Sequence, residues 1–147
     1  MMFRNLMVGL PVILACMVLQ VAFAFWSVRY FVRQTLGATA ASGTLYGLRP
    51  LLVVMLVMML GTIVQIATWG ILFVVLGEFD ELYEAVYHSA VNFASLGYGD
   101  IVMSKDWKLL GPLEAVCGVL MLGMTSAALM AIMQQVIKLQ RAALNLD

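Results

Sequence analysis

Three long apolar stretches, roughly Leu6 to Val28, Leu51 to Gly77 and Ala115 to Ile137, dominate the alternation of hydrophobic and polar positions along the chain. Each has the length of about 20 apolar residues that a helix needs to cross a bilayer. The region between the second and third, Glu78 to Leu113, holds most of the acidic residues. Inside it lies an apolar piece, Leu82 to Ala94, that is too short to span. This pattern predicts a re-entrant helix, which dips into the membrane and returns as a loop. Glu78, Asp80, Glu81 and Glu84 gather at its start, where they suit the positive end of a helix dipole and an aqueous face. Arg29, Arg33 and Arg49 flank the first connection, and Lys138 and Arg141 follow the third stretch. Basic residues near helix ends mark the cytoplasmic side. Three spans then place the N-terminus and the re-entrant segment outside, with Lys105 and Lys108 as the opposing charges.

Composition sharpens this picture. Of the 147 residues 64% are hydrophobic and only 11% charged, with a mean hydropathy of +1.02, so the chain is an integral membrane protein. A formal net charge of +0 with a single histidine, His88, gives no basic face for nucleic acid. Cys16 and Cys117 fall inside apolar stretches and read as small buried hydrophobes rather than a disulfide or metal pair. Met55, Met58, Met59, Met121, Met124 and Met130 read as helix packing and lipid contacts. No nucleophile, metal cluster or paired acid and base converges, so no enzyme activity and no cofactor are expected.

Arg4, the apolar run and Ala22-Phe23-Ala24 have the outline of a cleavable secretory signal. The run continues past Ala24 to Trp26 and Tyr30 near an interface, which fits a retained helix, and cleavage would leave Arg29 and Arg33 outside. Gln34 to Pro50 is rich in Gly, Ala, Ser and Thr, and lacks the lysine and preceding strand of a phosphate loop. It reads as a flexible cytoplasmic connection. With six residues after Arg141, no ligand-sensing domain is expected on this chain.

The segment Ser95-Leu96-Gly97-Tyr98-Gly99-Asp100 carries the candidate chemistry. A dehydrated potassium ion needs a ring of oxygens in place of its water shell, which four extended backbones supply when their carbonyls point inward. Gly97 and Gly99, lacking Cβ, reach the positive φ values that turn successive carbonyls to one side. This stretch resembles the signature of the tetrameric potassium channel family, whose filter usually reads Thr-Val-Gly-Tyr-Gly-Asp. Gly97 to Asp100 match it. Ser95 stands for the family's threonine and keeps its hydroxyl, Leu96 stands for its valine, and Ala94 stands where a second threonine is frequent.

The resemblance implies an all-α membrane protein: three transmembrane helices, a re-entrant pore helix with its filter loop between the second and third, and a homotetrameric pore. The organisation it implies is an extra N-terminal transmembrane helix at 1–33, a cytoplasmic loop at 34–50, a pore domain at 51–141 and a short tail at 142–147. Within the pore domain the outer helix is 51–77, the pore helix 82–94, the filter 95–100 and the inner helix 112–138. Potassium ions are the expected ligand, held by the carbonyls of Ser95, Leu96, Gly97 and Tyr98, with Gly99 closing the filter and the Ser95 hydroxyl adding an oxygen. Asp100, Tyr87, His88 and Asn92 are the expected filter supports, and Val91 stands where some relatives carry a glutamate. The pKa of a histidine gives external pH a handle through His88. Gly123 is the candidate gating hinge, with close helix packing as its competing role. Thr125 and Ser126 are candidate cavity-lining hydroxyls, with bonds back to their own helix as the alternative. Glu114 reads as a charge that suits the start of the inner helix. Two arginines, Arg29 and Arg33, are too few for a voltage sensor. The expected setting is a plasma membrane, bacterial inner membrane by family likeness, with lipid around the tetramer and the first helix free to meet a regulatory partner. A non-selective cation channel and a non-conducting accessory subunit remain the alternatives.

Overall fold

The computed structural model describes residues 2–36 and 45–143. Four helices follow one another, α1 (Met2–Leu36), α2 (Leu45–Val75), α3 (Leu82–Phe93) and α4 (Leu110–Ala143), with no strand among the described residues. Three of them contain stretches long and apolar enough to cross a membrane, Met2–Gln34, Arg49–Val75 and Leu110–Lys138. The all-helical reading and the three spans agree with the sequence. The helices themselves are longer than their apolar cores, because polar and basic end turns such as Gln34 to Leu36 and Lys138 to Ala143 continue the ladder beyond the apolar stretch. The connection expected at 34–50 is correspondingly shorter. Residues 37–44 of it, and 144–147 of the expected tail, lie outside the described residues. Pro50 costs α2 one ladder bond near its start and is accommodated there.

α1 and α4 run in the same direction and α2 runs against them, as the residues of the two packed cores show. The first core joins Ile13 and Cys16 of α1, Trp69 and Phe73 of α2, Ala85 and Phe93 of α3, and Leu110, Cys117 and Met121 of α4, with Phe79 from the connection. The second, at the other end, joins Phe31, Val54, Met58 and Ile132. Cys16 and Cys117 are free, buried thiols inside the first core. Between the two cores, at the same level on all three long helices, sits a polar layer. Gln65 Nε2 donates to Gln20 Oε1 at 2.7 Å, and Gln20 Nε2 donates to Thr125 Oγ1 at 2.7 Å. In hydrocarbon, association of helices has no solvent-driven term, so close packing and such bonds hold them together.

α2 ends in a left-handed turn. Glu78 N–H bonds to Phe73 O and Gly77 N–H to Val74 O, both at 3.0 Å, with Gly77 at φ 74°. This paired pattern satisfies the last carbonyls of the helix and needs a residue that accepts positive φ. Gly77 meets that need without strain. The short α3 then packs between α2 and α4, burying Ala85, His88, Ser89, Val91 and Phe93. Its contact with α2 passes over Gly70, where a Cβ would stand 2.8 Å from Val86.

Candidate functional site

The C-terminus of α3 repeats the turn that ends α2, with a different residue at the critical position. Leu96 N–H bonds to Val91 O at 2.9 Å and Ser95 N–H to Asn92 O at 2.8 Å, so Ser95 occupies the left-handed site, at φ 57°. Ser95 is the only non-glycine at positive φ among the described residues. A side chain there costs roughly 1–2 kcal/mol relative to the right-handed region. From this point positive φ recurs at every second residue, Ser95 (57°), Gly97 (57°) and Gly99 (73°), while Leu96 and Tyr98 stay negative. The positive φ at Gly97 and Gly99 agrees with the conformation that the sequence expected of these two glycines. Nothing lies within 4 Å of a Cβ built on either glycine, so the constraint on them within one chain is backbone conformation alone. Leu96 and Tyr98 are mostly exposed in the single chain.

Behind this segment the expected supports form a connected set. Tyr87 Oη donates to Asp100 Oδ2 at 2.7 Å, linking α3 to the end of the segment. The bond draws the Asp100 carboxyl below its ordinary pKa and raises that of the Tyr87 phenol. His88 Nδ1 lies 3.1 Å from Ile101 O, and Asn92 Nδ2 lies 2.9 Å from His88 Nε2. The two contacts assign one tautomer: Nδ1–H donates to the carbonyl and bare Nε2 accepts from the amide. The ring rests against Phe73 and Phe79 at centroid distances of 5.7 and 5.1 Å. Burial pushes the His88 pKa down from its ordinary value of 6.5, against the opposing pull of the Ile101 carbonyl, Asp100 and Glu78. A cavity of about 160 Å³ separates His88, Val91 and Asn92 from Gly97 and Gly99.

Four further fastenings fall on residues that the sequence reading assigned otherwise or passed over. Glu78, expected in the first turn of the short helix, precedes α3 and accepts bonds from Ser104 N–H at 2.7 Å and Ser104 Oγ at 2.6 Å. It ties the chain entering α3 to the chain leaving the candidate filter. Glu114, expected as a charge at a helix start, is fully buried. Its carboxyl group meets the Ser89 hydroxyl, which also lies 2.8 Å from Ile66 O. α2, α3 and α4 therefore converge on the one hydroxyl of Ser89. The expected role failed because α4 begins at Leu110, so Glu114 faces α3 instead of water. Gly118 sits so close to the end of α3 that a Cβ there would stand 1.9 Å from Phe93 O. Near the N-terminal end of α1, Asn5 Nδ2 donates to Asp106 O at 2.8 Å, and the Arg4 guanidinium lies 4.3 Å above the Trp107 ring.

The deeper candidates stand apart from this set. Gly123 has open space at its Cβ position. The Thr125 hydroxyl is occupied by Gln20 of α1, and Ser126, about 100° further round α4, is exposed. Polar Gln20 and Gln65 inside apolar spans were the sequence signal for that engagement, since intramembrane amides seek partners.

Residues 52–135, more than half of the chain, match the family model described as ion channel. The match covers most of α2, all of α3, the 95–100 segment and most of α4, and leaves α1 outside. No curated protein and no solved structure matches the chain.

Three outcomes are expected from this geometry. Gly118→Ala must displace the backbone of α3, and is expected to destabilise the protein by about 1–3 kcal/mol. Gly123→Ala meets open space and is expected to be neutral or to stabilise by up to about 1 kcal/mol, because alanine is the better helix former. Unfolding of both purified variants in detergent, followed by circular dichroism, separates the two. For His88, the lowered pKa means that the fold favours the neutral ring. Its contribution is present above pH 6.5 and is lost as pH falls through the folded pKa. Thermal stability is therefore expected to decline on acidification below pH 6.5, and His88→Gln to flatten that part of the profile.

Proposed function

The chain belongs to the ion channel family whose model it matches over residues 52–135, and from that premise we propose that four copies form a pore that conducts potassium passively across a membrane. The observation that carries this reading is the alternation of positive φ at Ser95, Gly97 and Gly99. One chain supplies a single column of carbonyls, from Ser95, Leu96, Gly97 and Tyr98, and a ring around an ion needs four columns. The Ser95 hydroxyl adds the innermost oxygen. α3 enters as the re-entrant pore helix, and its C-terminal carbonyls, of partial negative charge, face the ion path. Tyr87, His88, Asn92 and Asp100 hold the column from behind by the bonds described above.

α2 is the outer wall of the proposed pore and α4 the inner. Gly123, Ser126, Met130 and Met133 lie three or four positions apart on an open face of α4, the helical spacing of a single stripe. That stripe lines the cavity in this reading, with Ser126 as its hydroxyl and Gly123 as its point of flexure. The direction in the membrane follows from charge. Arg29, Arg33, Arg49, Lys138 and Arg141 collect at one end of the helices, and the 95–100 segment lies at the other, so the former end is cytoplasmic and the N-terminus is outside.

The decisive measurement is the reversal potential of the purified chain in planar bilayers, with potassium on one side and sodium on the other. A value near the potassium equilibrium potential, together with block by barium, is expected. A current that reverses near zero would replace the reading with a non-selective cation channel, and a tetramer without current under every condition would favour an accessory role. Gly97→Ala and Gly99→Ala are each expected to abolish selective flux, because the added Cβ disfavours the positive φ that the carbonyl column requires. Retained potassium selectivity in either variant would overturn the carbonyl-ring model.

A further inference from the structure

α1 lies outside the part of the chain that matches the channel family, yet it is fastened to α4 at three levels. Near its start, Asn5 and Arg4 grip Asp106 and Trp107, just before α4 begins. Near its end, Phe31 packs with Ile132. Between them, Gln20 donates to Thr125 Oγ1 at 2.7 Å and approaches Met121 O at 3.5 Å, while Gln65 of α2 holds Gln20 Oε1 at 2.7 Å. Gln20 and Gln65 are both fully buried.

The middle fastening has a position that the two at the ends lack. Thr125 lies two residues beyond Gly123, whose missing side chain leaves open space. Met121 O is the carbonyl that the Thr125 N–H would use in a regular helix, so the Gln20 amide reaches the ladder of α4 at the turn containing Gly123. The chain of bonds is also incomplete at its far end, where Gln65 Oε1 is buried without a partner.

We propose that α1 is a built-in strap on the pore-lining helix, and that Gln20 is a positioning residue which sets the posture of α4 below Gly123 through its bond to Thr125. Gln65 orients the Gln20 amide. Holding the bond keeps α4 continuous as observed, and releasing it frees the half of α4 beyond Gly123 to swing about that glycine. The strap thereby couples α1, the helix that family-like pores do without, to the probability that the pore is open. The inference rests on the channel reading for its effect on current, and on the structure alone for its effect on α4.

The test uses the full-length tetramer with Gln20→Leu, Thr125→Val, the double variant and Thr125→Ser, which keeps the hydroxyl. In single-channel records Gln20→Leu and Thr125→Val are each expected to change open probability by about three- to tenfold, the range of one interhelical bond in a membrane. The reversal potential should not move. The double variant should change no more than either single one, and Thr125→Ser should behave as the parent. In parallel, spin labels at exposed Gln134 report the distances between the four copies of α4. Thr125→Val should broaden that distribution and Thr125→Ser restore it. Unchanged open probability in both single variants, effects that add in the double variant, or an unchanged distance distribution would overturn the strap. If the parent chain carries no current, the channel reading fails, and the label distances still decide for or against the strap.

Discussion

Backbone that leaves a helix must find new partners for its amides and carbonyls, and several residues between α3 and α4 take theirs from α3 and the connection before it. The paired bonds of Ser95 and Leu96 back to α3 meet this demand at the first bend. Beyond the glycines, Ile101 O is met by His88, the Asp100 carboxylate by Tyr87, and the Ser104 amide by Glu78. These partners come from one short helix and the connection before it. α3 must therefore sit in a fixed place, and much of the remaining structure serves to fix it.

That fixing is done by small and polar residues set at helix crossings. Gly70 and Gly118 let α2 and α4 approach the backbone of α3 on two sides. Ser89 joins α3 to the Ile66 carbonyl and the buried Glu114 carboxyl group. In a membrane this arrangement is physically sensible, because apolar side chains gain little by leaving lipid for one another, whereas close backbone contact and satisfied polar groups gain more. α4 carries three of these functions on one helix: Glu114 and Gly118 toward α3, Thr125 toward α1, and the open stripe of Gly123 and Ser126 on another face.

The three spans, the short helix and the candidate filter were legible because each has a signal confined to a short window: length of apolar run, or glycine at alternate positions. The ends of the helices were less so, since residues such as Gln34 and Lys138 extend a ladder without contributing to hydropathy. Glu114 and Glu78 show a different limit. An acidic residue near a helix start suits the dipole whether it faces water or a neighbouring helix, and only the register of α4 against α3 tells the two apart. Gly118 and Gly123 are equally ambiguous in sequence, for the packed glycine and the open one differ by a contact with Phe93, 25 residues earlier along the chain. Ser95 at positive φ had no sequence signal, as serine seldom adopts that conformation.

The two left-handed helix ends, Gly77 and Ser95, use the same hydrogen-bond pattern and differ in what their side chains allow. At 77 the glycine is relaxed and terminates a helix. At 95 the same turn opens the run of alternating φ, so in the proposed pore a single residue would answer to two conflicting requirements. Glycine would ease the bend, yet it would remove the hydroxyl; threonine would keep the hydroxyl and add a branch that tolerates positive φ less well. In the proposed pore serine is the compromise between these demands, and the position is one where a more stable protein and a better ion ligand would be different molecules.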